Sequence, residues 1–118
     1  MPELPEVETT CRGIAPHIVG RRIQKMSIYN GRLRWPVPES LPRRVEGEII
    51  NGVSRRAKYV LIHIDQGDIL VHLGMSGALR VLPGGVELRK HDHVDLLLDS
   101  TKSLRFHDPR RFGSWLWQ

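Results

Sequence analysis

The sequence of 118 residues contains a single cysteine, Cys11, so it cannot form an intrachain disulfide or a multi-cysteine zinc site. Nothing in it therefore asks for an oxidising compartment. No apolar run approaches the roughly 18 residues of a membrane span. The acidic opening Met1-Pro2-Glu3-Leu4-Pro5-Glu6 is the reverse of the basic start of a secretory signal. Internal repeats and low-complexity tracts are also missing. These absences predict a soluble, cytoplasmic protein, and the length fits one domain with one hydrophobic core. What is plentiful is positive charge: 18 Lys and Arg against 13 Asp and Glu give a net charge of +5. That balance favours a polyanionic partner, nucleic acid or anionic lipid, without choosing between them.

From Pro5 the chain reads as a helix start, with proline at the first helical position and Glu6 and Glu8 where the helix dipole favours negative charge. Val7, Cys11, Ile14 and Ile18 then recur at intervals that make one apolar face. Gly13 weakens the helix and Pro16 ends or kinks it, so the regular part is placed at 5–15. Beyond Gly20 short β-prone segments alternate with turn clusters such as Asn30-Gly31, Gln66-Gly67-Asp68 and Pro83-Gly84-Gly85. The expected strands are 22–29, 47–53, 58–65, 69–73, 78–82, 93–98, 104–107 and 114–117, with a proline-rich loop at 32–42. The fold class is mainly β: an eight-stranded antiparallel sandwich or barrel-like domain with an N-terminal α-helix. The last residues, Ser114-Trp115-Leu116-Trp117-Gln118, are apolar and aromatic with no polar tail, which reads as a cut end able to pair between chains.

Chemistry concentrates first at the N-terminus. Removal of Met1 leaves Pro2 with a free secondary amine, and an α-amino group has a pKa near 7.7 to 8.0, so a minority is nucleophilic at neutral pH. Attack on an aldehyde-level carbon gives an iminium ion, an electron sink for eliminations. Glu3 can protonate a leaving or ring oxygen if burial raises its pKa. If Met1 stays attached, the Pro2 nitrogen is a tertiary amide and no nucleophile. Three further stretches join a cation or polar group to a tight turn or an apolar side chain: Arg55-Arg56-Ala57-Lys58-Tyr59, His72-Leu73-Gly74-Met75-Ser76-Gly77 and Asp108-Pro109-Arg110-Arg111-Phe112-Gly113. His91-Asp92-His93 suggests a metal site, but strand alternation would put two imidazoles on one face with no third ligand nearby, so a structural hydrogen-bonding role is preferred and no metal ligand is assigned. Arg32, Arg34 and Trp35 make a basic loop with an aromatic, and no role is assigned to them.

Together with Pro2-Glu3-Leu4-Pro5-Glu6-Val7-Glu8, Asn30-Gly31-Arg32-Leu33-Arg34-Trp35-Pro36 and Lys90-His91-Asp92-His93-Val94-Asp95, these stretches closely resemble bacterial formamidopyrimidine-DNA glycosylase, which excises oxidised purines such as 8-oxoguanine. Leu4 distinguishes them from the sister endonuclease VIII group, which has glycine there. The resemblance implies that residues 1–118 are the N-terminal catalytic domain of a base-excision glycosylase with coupled β,δ-elimination at abasic sites. It implies Pro2 as the nucleophile at the anomeric carbon, Glu3 as the acid that assists ring opening, and Lys58 as a lysine contacting phosphate and the lesion's surroundings. His72 matches a phosphate contact. Met75, Arg110 and Phe112 match the side chains that fill the gap left by a flipped-out nucleotide.

The implied partner is double-stranded DNA containing oxidised purines or abasic sites, with self-association through the cut surface as a further expectation. The helix-two-turns-helix region and four-cysteine zinc finger of full-length members are absent from these residues, so no cofactor is expected in this chain. Weak or no activity is expected without them. Two other readings stay open at this point: a DNA-binding module without turnover, and an inert β-sandwich fragment.

Overall fold

The computed structural model describes residues 4–118. Eight strands form two four-stranded antiparallel sheets. One contains β1 (Ile23–Ile28), β6 (Asp92–Leu98), β7 (Ser103–His107) and β5 (Ala78–Leu82) in that order. The other contains β2 (Gly52–Arg56), β3 (Tyr59–Ile64), β4 (Gly67–His72) and β8 (Ser114–Trp117). The mainly β architecture expected from the sequence is thus the one found.

Strand alternation sends Val60, Ile62, Ile64, Ile69, Val71 and Trp115 of one sheet and Val94, Leu96, Leu98, Leu104 and Phe106 of the other into a single buried core. At its centre the Phe106 and Trp115 rings meet edge to face, 6.0 Å apart.

Two helices close the open sides of the sandwich. α1 (Leu4–Ile18) packs against β2, β3 and β5, inserting Val7, Cys11, Ile14 and Ile18 between the edge strands of the two sheets. Full burial of an apolar side chain such as Val7, Ile14 or Ile18 contributes about 1.5–3 kcal/mol. α2 (Leu41–Val45) packs on β1 at the opposite side, where Arg44 sits 5.4 Å from the Trp117 ring of β8.

Several boundaries differ from expectation. α1 continues through Pro16 to Ile18. Proline in the last turn forfeits one backbone bond but leaves Ile18 free to bury, and Gly20, at φ +84°, then breaks the chain away. Within the segment expected as strand 47–53, residues 47–51 are instead an irregular crossover, with a bridge from Ile49 to Arg22. The regular strand β2 starts only at Gly52 and takes in Ser54, Arg55 and Arg56. Pairing with β3 overrides their low strand propensity. The proline-rich loop gives way to helix at Leu41, with Pro42 in the first turn. Trp115, one of the two residues behind the expected self-association, is fully buried, and Trp117 is half-buried. Both rings are therefore largely covered within the chain.

Candidate functional site

β3 and β4 form a hairpin whose open end pairs Tyr59 with His72. The β2–β3 connection is a two-residue turn, Ala57-Lys58, made possible by Ala57 in the left-handed region at φ 51°. This holds Lys58 beside His72. Glu8 in α1 pairs with Arg55 at 3.3 Å, and Arg55 also donates to the Ala57 carbonyl at 2.9 Å, so the N-terminal part of the helix lies at this same end.

Beyond β4 the chain makes the tight turn 73–77, and beyond β7 it makes the loop 108–113. The two approach backbone to backbone. A Cβ on Gly74 would sit 2.5 Å from the Gly113 nitrogen, and one on Gly113 would sit 2.5 Å from the His72 carbonyl oxygen and 2.7 Å from the Phe106 ring. Only glycine permits this contact, and Gly74, at φ +64°, needs it for its backbone conformation as well. A third loop docks here when the Arg34 N–H donates to the Gly113 carbonyl at 3.0 Å.

The result is an open cavity of about 430 Å³ lined by Arg34, Trp35, Tyr59, His72, Gly74, Met75, Phe112 and Ser114. Met75, Phe112 and Trp35 expose 45%, 41% and 55% of their surface, although apolar side chains of this size are ordinarily buried. Cations accompany the aromatics: Arg110 lies 5.1 Å from the Phe112 ring and Arg34 lies 5.7 Å from the Trp35 ring. An apolar, aromatic-walled cleft edged by arginines suits flat, negatively charged polymers better than a small apolar ligand.

Electrostatics make His72 a neutral donor. Burial, then the charges of Lys58 and Arg34, push its pKa below the ordinary histidine value. Its Nδ1 accepts the Gly74 N–H at 2.9 Å, so the ring proton sits on Nε2.

Of the residues singled out in the sequence, His72, Met75 and Phe112 thus share one cavity wall. Arg110 lies over Phe112, and Lys58 lies on the adjoining turn. Pro2 and Glu3 lie outside the described residues. Arg34 and Trp35 carry no role in the sequence alone, and Tyr59 and Asp108, although inside the quoted stretches, carry none of their own there. The Asn30-to-Pro36 stretch was the available signal for the first pair. His91, at φ 74°, precedes β6, so strand alternation does not relate it to His93. His93 Nε2 instead donates to the Asp108 carbonyl at 2.9 Å, the structural role expected. His107 contacts Asp92 at 2.7 Å. Burial alone would raise the Asp92 pKa, but bonds from the Arg89 N–H and His107 outweigh it and hold the carboxyl below its usual range. Among the described residues no group of three or more His, Cys, Asp or Glu could hold a metal ion.

Residues 1–115 match the family model of the formamidopyrimidine-DNA glycosylase N-terminal domain. The chain is 56% identical over 117 residues to the formamidopyrimidine-DNA glycosylase of Photobacterium profundum, covering 99% of this chain and 43% of the relative. It is 59% identical over 117 residues to that of Hydrogenovibrio crunogenus, covering 99% of this chain and 42% of the relative. It therefore spans less than half the length of these curated relatives. Among solved structures it is similar to wild-type Lactococcus lactis Fpg (MutM) in complex with DNA containing N7-benzyl-Fapy-dG, at TM-score 0.91 and 33% identity, covering 99% of this chain and 44% of that one. It is equally similar to Lactococcus lactis Fpg with DNA containing an abasic site, at TM-score 0.91 and 32% identity, with the same coverage.

Proposed function

Since the chain belongs to the family of formamidopyrimidine-DNA glycosylase N-terminal domains, we propose that it is the catalytic half of a base-excision enzyme acting on oxidised purines and abasic sites in double-stranded DNA. The observation that carries this reading is the convergence of exposed Met75 and Phe112 with His72 on one cationic cavity. A nucleotide rotated out of a duplex leaves a gap in the stack. Met75 and Phe112 are of the size and polarity to fill it, while Arg110 offers donors to the orphaned partner base. His72 Nε2–H donates to a phosphate oxygen, and Lys58 and Arg34 neutralise backbone charge.

The covalent step belongs to Pro2. Its secondary amine attacks C1′ of the damaged nucleotide, and the bond to the base breaks with the base taking the electron pair. Glu3 protonates the ring oxygen as the sugar opens, giving a Pro2 iminium at C1′. Loss of a C2′ proton then drives elimination of the 3′ phosphate, and a second elimination releases the 5′ phosphate.

The test is borohydride trapping on a duplex with one abasic site, read by intact-protein mass. An adduct is expected on the chain lacking Met1 and none on the chain that retains it, whose Pro2 nitrogen is a tertiary amide. No adduct from a chain with free Pro2 would overturn catalysis by this half alone.

A further inference from the structure

One side chain between the two cleft loops is not used by the chemistry above. Asp108 is 0% exposed, whereas the next four residues, Pro109 to Phe112, are all exposed. Its Oδ1 accepts the Ser76 hydroxyl at 2.9 Å and its Oδ2 accepts the Gly113 N–H at 2.8 Å. The Ser76 oxygen in turn accepts the Arg110 N–H at 3.2 Å. The Asp108 backbone is fixed as well: its carbonyl accepts His93 Nε2 at 2.9 Å and the Arg111 N–H at 3.2 Å, and its N–H donates to His91 at 3.0 Å. One carboxyl group thus ties the residue after Met75 to the residue after Phe112 and, through Ser76, to the amide of Arg110.

We propose that Asp108 and Ser76 are positioning residues that lock Met75, Arg110 and Phe112 into one preformed wedge before DNA arrives. The proposal rests on the DNA reading above. Its physical basis is entropic: three side chains on two separate loops must act together, and loops ordered in advance do not lose that freedom on binding. Arg111, at φ 57°, shows that the loop holds a backbone conformation non-glycine residues rarely adopt, which requires strong local bonding to persist.

Two variants test the lock. Asp108→Asn keeps the shape but turns an N–H₂ toward one of the two donors, and Ser76→Ala removes the relay with little risk to folding. In the free chain, hydrogen exchange should quicken about tenfold or more at Gly113 in Asp108→Asn and at Arg110 in Ser76→Ala. Unchanged exchange overturns the lock.

On DNA, a duplex with 2-aminopurine opposite an uncleavable abasic-site analogue, which has no aldehyde-level carbon for Pro2 to attack, reports wedge insertion. Both variants should lose about fivefold or more of the fluorescence rise, while affinity for intact duplex and its salt slope stay within about twofold. A full signal in both variants, or a parallel loss of intact-duplex binding, overturns the positioning role. No response from the wild-type chain, with its amides protected, sinks the DNA reading and with it the purpose of the lock. Unprotected wild-type amides sink the lock itself.

Discussion

The two ends of the β3–β4 hairpin carry the same residue type to different effect. At the turn end His63 is hydrogen-bonded on both nitrogens, to Ser54 Oγ at 2.6 Å and to Asp68 at 2.6 Å, in a Ser-His-Asp chain laid across the outer face of the sheet. Both ring nitrogens are thus engaged by neighbouring side chains of the same sheet. At the open end His72 uses only Nδ1 internally and sits on the wall of a cavity, beside the charges of Lys58 and Arg34. What a histidine can do is set by what its second nitrogen faces. Glycines divide by contact rather than by end: Gly52 meets nothing nearer than His63 Cδ2 at 3.6 Å, while Gly74 and Gly113 at the open end, like Gly67 at the turn, are pressed against backbone.

The largest effect that would sharpen this contrast comes from those glycines. Gly113→Ala and Gly74→Ala should each destabilise by about 2–4 kcal/mol, since strain and overpacking add where a backbone cannot retreat. Gly52→Ala should cost less than about 1 kcal/mol. Denaturant unfolding checks all three, and equal costs would break the comparison.

The histidines come next. His72→Ala should weaken binding to a duplex with an uncleavable abasic-site analogue about tenfold, the scale of a missing hydrogen bond to a charged group, and leave the salt slope unchanged because a neutral donor releases no counterion. His63→Ala should leave binding within about twofold. By contrast Arg34→Ala should lower the salt slope by about one unit, as expected when one phosphate is no longer neutralised.

The smallest effect is in the pH dependence of stability. The folded pKa of His72 is depressed, so between that value and the ordinary 6.5 the unfolded chain binds more protons than the folded one. The contribution of His72 is therefore fully present above about 6.5 and lost as pH falls through its folded pKa. The difference in thermal midpoint between wild type and His72→Gln should shrink over that window.

Much of this was legible in the sequence because it was local. The i, i+4, i+7 spacing of Val7, Cys11 and Ile14 marked the buried helix face directly, and alternation marked most strands. His72, Met75 and Phe112 stood out beside glycines that the cleft turns out to need. What stayed hidden depends on partners far away in the chain. Asp108 acts through Ser76, 32 residues away, and Trp35 reaches the cleft on a loop whose Arg34 N–H bonds the distant Gly113 carbonyl. β2 was misplaced because β-branched Ile49 and Ile50 look like a strand, while pairing with β3 selects the more polar segment that follows.

On this reading the cleft end detects a gap in a duplex through Met75, Phe112 and Arg110, while Lys58 and Arg34 meet only phosphate. The most direct test is an anisotropy titration of a duplex carrying an uncleavable abasic-site analogue and an intact duplex from about 50 to about 200 mM salt, with wild type and Met75→Ala. The account predicts parallel salt slopes, a preference of about tenfold for the abasic duplex in wild type, and disappearance of that preference in Met75→Ala. Equal binding of both duplexes by wild type, or no dependence on salt, would contradict it.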